Sequence, residues 1–179
     1  MSRSIKSVFT IAITAGALSA CSTVFAPRGP LSPVSSSRIV YLIAADGTGR
    51  GSVTLQEGPG GSTLTIQGTA LPPGEHGLHL HEKGLCAGPA FASAGGHWNP
   101  TARKHGRDNP AGAHLGDLPN LVIDATRSGT ASFTLPPGSA DIDGTALVVH
   151  AKVDDYRTDP SGNSGDRIAC AVVAAPSGG

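Results

Sequence analysis

After residue 40 the chain repeats one pattern that narrows its fold more than any other feature. Short runs alternate apolar and polar residues, and glycine or proline sets them apart. Alternation of period two puts every second side chain on one face, as a half-buried β-strand requires. Such runs cover residues 38–43, 51–56, 62–67, 75–82, 121–124, 130–135, 146–151 and 168–173. Asp46-Gly47, Gly58-Pro59-Gly60-Gly61 and Pro72-Pro73-Gly74 supply the first turns. No stretch sustains a 3.6-residue apolar period, so helices are not expected. Gly and Pro, 25 and 14 of 179 residues, suit a turn-rich β domain and fall just short of a disordered composition. The length fits one domain with its own core. The pattern predicts an antiparallel sandwich or barrel.

Residues 84–119 break the pattern, with neither strand nor helix periodicity. So long a loop in a compact domain needs something to order it. This one holds Cys86, His97, His105, His114 and Asp117, so metal ligation and a disulfide are both available. All seven histidines of the chain fall between residues 76 and 150. In the run from Glu75 to Glu82, strand geometry projects His79 and His81 side by side, flanked by Leu78 and Leu80. Two imidazoles on one face supply half of a transition-metal site.

The N-terminus reads as a targeting segment. Arg3 and Lys6 precede a short apolar stretch over residues 8–18, and Leu18-Ser19-Ala20-Cys21 resembles a bacterial lipobox. We therefore expect a signal peptide over residues 1–20, lipid on Cys21, a Pro/Ser-rich linker over 22–37 and a single domain over 38–179. The linker reaches roughly 50 Å when extended, enough to hold a domain off a membrane surface. The expected location is the periplasm or cell envelope, with the membrane as a partner through the lipid. Three cysteines leave one unpaired in an exported protein. If Cys21 carries lipid, Cys86 and Cys170 remain as a pair, whose closure is worth at most about 4–5 kcal/mol in the chain-entropy model. Formal net charge is zero, and without Arg3 and Lys6 there are 11 basic against 13 acidic groups. That balance gives no reason to expect a nucleic-acid partner.

Six segments together carry a resemblance to a known family. They are Gly77-Leu78-His79-Leu80-His81, Gly95-Gly96-His97-Trp98-Asn99-Pro100, Lys104-His105-Gly106, Ala113-His114-Leu115-Gly116-Asp117-Leu118, Leu147-Val148-Val149-His150 and Gly165-Asp166-Arg167-Ile168-Ala169-Cys170. In this order and spacing the chain resembles the bacterial copper,zinc superoxide dismutases from Arg38 onward. The resemblance implies an all-β fold, an eight-stranded antiparallel Greek-key barrel or sandwich of immunoglobulin-like type with long metal-binding and electrostatic loops. It implies one copper per subunit on His79, His81, His97 and His150, and one zinc on His97, His105, His114 and Asp117, with His97 shared. Three imidazoles and a carboxylate close a structural zinc site, while four imidazoles suit a redox copper.

The resemblance also implies that Asp154 links His79 to His105 from outside the ligand set, as carboxylates beside ligating histidines do. Arg167 is expected to attract and orient superoxide, with Cys86–Cys170 steadying its segment. His97 and Arg167 are then the catalytic pair: copper oxidises one superoxide and reduces another, and His97 takes and returns a proton. His76 falls outside the ligand pattern and reads as a packed histidine. The chain departs from the family in three places. Residues 154–167 are a short electrostatic loop with one base in Tyr156-Arg157-Thr158-Asp159-Pro160, so the attracting field is expected to be either weaker or drawn from elsewhere, such as Arg103, Lys104 or Arg107. Trp98 replaces the usual Phe, and Ala171 follows Cys170 where Gly is common. The alternatives are a metal-buffering module and a structural zinc domain. Arg167 argues against the first, and the histidines beyond the zinc set argue against the second. Monomer and homodimer are both compatible with the sequence.

Overall fold

The computed structural model describes residues 36–58, 60–136 and 144–173. The expected signal peptide, Cys21 and nearly all of the linker lie outside the described residues. Eight strands form in chain order: β1 (Ser36–Ile43), β2 (Gly49–Gly58), β3 (Gly61–Thr69), β4 (Gly74–His81), β5 (Asp117–Ile123), β6 (Ser128–Leu135), β7 (Ala146–His150) and β8 (Arg167–Val172). A single 3₁₀ turn, Ala92–Ala94, is the only helical piece among the described residues.

The strands make one antiparallel sheet in the order β5-β4-β7-β8-β1-β2-β3-β6. Its two outer strands are consecutive in the chain and come back together. The turn between them is closed by the Asp124 N–H on Ser128 O (2.9 Å). A β-carbon on Gly129 of β6 would lie 2.0 Å from Val122 O of β5, so the two backbones abut there. The result is a nearly closed barrel. The links from β3 to β4 and from β6 to β7 each pass over two strands, the Greek-key connection.

Alternation sorts the side chains. Val53, Leu55, Leu64, Ile66, Leu78, Leu80, Leu147 and Val149 point into the barrel and are buried together. Most outward faces are polar and exposed, as period two predicts. β4 and β7 are the exception, because loops cover their outer faces too: every residue from His76 to His81 and from Ala146 to His150 is buried. Ala146, Val148 and Cys170 pack outward against Phe91 and Ala94, forming a second small apolar cluster beneath the long loop.

One strand begins earlier than the sequence suggests. β5 starts at Asp117 rather than at residue 121. Pro119 makes this stretch look like a loop, since proline cannot donate to a ladder. The register against β4 shifts between His76 and Leu78, so the unpaired positions of a bulge accommodate the proline. Gly77, left without a β5 partner by the same bulge, donates its N–H to Lys152 O (2.8 Å).

Candidate metal centre

β4 and β7 place three histidines on the covered outer face. His79 and His81 are two residues apart on β4, and His150 ends β7, where a bulge sets it opposite Arg167 of β8. His97 joins them from the loop through an isolated bridge to His81. The ligand atoms of these four lie within 4.8 Å of one another.

Hydrogen bonds fix which nitrogen of each strand-borne ring is free. His81 Nδ1 faces Gly95 O (2.9 Å) and His150 Nδ1 faces Gly165 O (3.0 Å). A carbonyl only accepts, so both rings carry their hydrogen on Nδ1 and keep a lone pair on Nε2. His79 donates from Nε2 to Asp154 Oδ2 (2.8 Å), which frees Nδ1 instead. His79 Nδ1 and the Nε2 atoms of His81, His97 and His150 are the buried side-chain atoms without a hydrogen-bond partner among the described residues. Each such atom costs about 1–3 kcal/mol when nothing answers it. Four of them converging make a donor set for an electrophile, and all-nitrogen donation fits copper.

The remaining set is built on Asp117, the first residue of β5 and the register partner of His79. Its Oδ1 lies 2.9 Å from His97 Nδ1, 3.0 Å from His105 Nδ1 and 3.1 Å from His114 Nδ1. His97 Nδ1 and His114 Nδ1 are 3.3 Å apart. Donors about 2.0–2.1 Å from a tetrahedral zinc are roughly 3.3 Å from one another, so these separations suit that ion. Backbone N–H groups of Gly106 (2.8 Å) and His114 (3.0 Å) hold Oδ2. His79 also comes within 4.8 Å of His97, His105 and Asp117. Its Nε2 is engaged by Asp154 and its Nδ1 belongs to the four-histidine set, so His114, beside Asp117 and His97, is the better fourth member.

Asp154 is buried between the two sets and touches both. Oδ2 accepts from His79 and Oδ1 lies 3.0 Å from His105 Nε2. Gly162 permits this: with φ of +62°, a β-carbon there would sit 1.7 Å from Asp154 Oδ1.

Electrostatics separates the sets. Burial, opposed only in part by hydrogen bonds, pushes His81 down to about 2, His79 to about 3 and His150 to about 4. Burial also lowers His97, against the pull of Asp117. His105 goes the other way. Burial alone would lower it, but its hydrogen bonds to Asp117 and Asp154 prevail and raise it to about 9. Burial would raise both carboxylates, yet hydrogen bonds from His105, with His97 for Asp117 and His79 for Asp154, hold them well below the usual range.

A cleft of about 250 Å³ opens over His81, His97 and His150, walled by Pro160, Ser161 and Arg167. Arg167 is clamped by Phe91 O and Gly95 O, both at 2.7 Å. Two of its five N–H groups are thereby spent, which fixes the guanidinium plane at the cleft wall. The Cys86–Cys170 disulfide, with a Cα–Cα distance of 5.7 Å, pins the same loop to β8. Among the other bases, Lys104 is paired with Asp159 (3.0 Å) and Arg107 stacks on Tyr156 (3.8 Å), while Arg103 and Arg157 are exposed.

His76 bonds through its two ring nitrogens to His150 O (2.7 Å) and Pro72 O (2.8 Å), and so braces the end of β7. Two supporting residues gave no sequence signal. Asn120 grips the Asp154 backbone through both its amide atoms (3.0 and 3.1 Å), and Asp159 accepts the His105 N–H (2.8 Å). Their partners lie 34 and 54 residues away, beyond the reach of local pattern.

A family model described as copper/zinc superoxide dismutase matches residues 49–173. A relative from Aquifex aeolicus, "Superoxide dismutase [Cu-Zn] 2", is 41% identical over 74% of this chain and 83% of its own. The crystal structure of a superoxide-dismutase-like protein from Bacillus subtilis superposes with a TM-score of 0.70 at 40% identity, over 75% of this chain and 97% of that one. The Cu/Zn superoxide dismutase from Brucella abortus gives 0.65 at 33% identity, over 77% and 99%.

Proposed function

The chain belongs to the copper/zinc superoxide dismutase family, and from that premise we propose that it disproportionates superoxide to oxygen and hydrogen peroxide. His79, His81, His97 and His150 would hold the copper; His97, His105, His114 and Asp117 would hold the zinc. What carries this reading is the convergence of four buried, unpartnered imidazole nitrogens, three of whose rings line a cleft walled by an arginine.

Copper, when bound, supplies reversible one-electron transfer, accepting an electron from one superoxide and returning it to another. The protein's part is to bind, orient and deliver protons. Arg167, held rigid by two carbonyls, presents a fixed positive charge to a small anion entering the cleft. The narrow walls limit what else can approach. His97 Nδ1 faces Asp117 while Nε2 has no protein partner among the described residues, so Nε2 is the atom that can hold a proton and hand it to reduced substrate. His81 and His150 keep their lone pairs available because carbonyls occupy their other nitrogens. Asp117 and its histidines, with no open position, order the loop that carries His97.

We also propose that the protein is exported and anchored by lipid on Cys21, so that it acts in the cell envelope. The lipobox-like Leu18-Ser19-Ala20-Cys21 and the disulfide support this, since such bonds persist in oxidising compartments. Activity and metal content measured on one purified sample test the catalytic reading. Arg167→Ala should lower activity by about 100-fold with copper content unchanged. Copper loss in that variant, or full activity without copper in the parent, overturns it.

A further inference from the structure

Tyr156 has no role in the reading above, yet contacts from three parts of the chain converge on it. Its N–H donates to Asp154 Oδ1 (2.7 Å). Its carbonyl accepts the Asp108 N–H (3.0 Å), and its hydroxyl accepts the Asn120 N–H on β5 (2.8 Å). The Arg107 guanidinium lies over its ring, 3.8 Å from the centroid, at cation–π distance. Its φ of +60° is a conformation that a bulky residue adopts only where its surroundings hold it.

One further contact gives these their meaning. The Tyr156 carbonyl packs flush on Gly106, where a β-carbon would lie 2.1 Å from the oxygen. The Gly106 N–H is one of the two that hold Asp117 Oδ2. Tyr156 therefore touches the supports of both carboxylates: Asp154 through its own N–H, and Asp117 through Gly106. Neighbouring Asp155 offers a contrast. It bonds the Arg157 and Thr158 N–H groups, the Thr158 hydroxyl and the Asn163 amide, and those bonds stay within residues 155–163.

We infer that Tyr156 is a positioning residue that sets Asp117 and Asp154 relative to one another, with Arg107 as the clamp on its ring. Zinc retention and the copper environment are then coupled through the Tyr156 backbone, which its side chain anchors, as well as through His97. A loop shift that moves Tyr156 moves Asp154 against His79 and Gly106 against Asp117 in one step. The inference rests on the copper and zinc assignments proposed above.

Tyr156→Phe removes only the hydroxyl acceptor and leaves the Asn120 N–H without its partner; Arg107→Ala removes only the clamp. Zinc affinity of the copper-loaded variants is read by competition with a chromophoric chelator, and the copper(II) site by electron paramagnetic resonance. Each change should weaken zinc about tenfold, the low end of what partners outside a ligand set contribute. Each should also alter the copper(II) signal, although neither residue approaches the copper ligands. A residue that merely stabilised the fold would lower the melting temperature and leave both readouts alone, and that result overturns the inference. If one variant fails to fold, the other decides by the same readouts. Asp117→Ala separates the two levels. Should it bind zinc as the parent does, the assignment falls and the inference with it. Should it lose zinc while both Tyr156 and Arg107 variants match the parent, the inference alone falls.

Discussion

Histidines carried by β4 and β7 differ from those carried by the 82–116 loop in how their nitrogens are answered. On the strands, ladder register aims the rings, and two backbone carbonyls and the Asp154 carboxylate select the tautomers, keeping one lone pair of each ring available. On the loop, three ring nitrogens share the single oxygen Asp117 Oδ1, and His105 faces a carboxylate on each side. The strand half is held by the sheet whether or not anything binds. The loop half is held by its own charges, and a proton on His105 can occupy part of the space of a cation. A rigid face therefore suits the metal that changes oxidation state, and a self-neutralising loop suits the one that does not.

Asp117→Ala should separate the halves most sharply. Zinc affinity should fall by well over the 10–100-fold typical of partners outside a ligand set, and thermal stability should fall with it. Metal analysis should find the strand half still competent for copper. Copper lost to the same degree as zinc would mean the two halves are not distinct. Asp154→Asn should have a middling effect on both, because its oxygens touch His79 and His105 alike. Both affinities should drop by about tenfold in titrations, whereas a loss confined to one metal would place Asp154 in that half alone.

The smallest effect is in the pH dependence of the metal-free protein, where the halves should act with opposite sign. His79, His81 and His150 sit below the ordinary value of 6.5, so the unfolded chain binds protons that the folded one does not as pH falls. Their contribution is intact above about 6.5 and is lost as pH drops through about 4 towards 2. His105 is raised to about 9, so its contribution is intact below 6.5 and is lost as pH rises through 9. Melting temperature should therefore peak near neutrality, and Asp154→Asn should flatten the alkaline limb. A melting temperature that still climbs at pH 9 would contradict the His105 environment.

Much of this was legible in sequence. Alternation found the strands buried on one face, because such burial imposes a period of two that survives without tertiary information, while β7, buried on both faces, reads as a short continuous apolar run. The same rule put His79 and His81 on one face. The long loop was legible as something needing an ordering agent, and the Cys86–Cys170 bond is one such agent. Pro119 hid the start of β5, since its tolerance depends on a bulge in its own strand, which only the pairing with β4 reveals. Asn120, Asp159 and Tyr156 were silent for a related reason. Each acts where two segments distant in sequence meet, and nothing within a few residues of them encodes that meeting. Gly162 looked like one more loop glycine, and only the position of Asp154 makes it irreplaceable.

The Gly95 carbonyl accepts from His81 Nδ1 and from the Arg167 guanidinium at once. Guidance of the incoming anion and the aim of a metal-binding ring thus hang on a single oxygen atom. Any redesign that widens the entrance by displacing that peptide would rotate the imidazole in the same movement. Access and reactivity cannot be tuned separately through that peptide, so an engineer seeking a larger substrate should begin at Pro160 and Ser161, which also line the cleft.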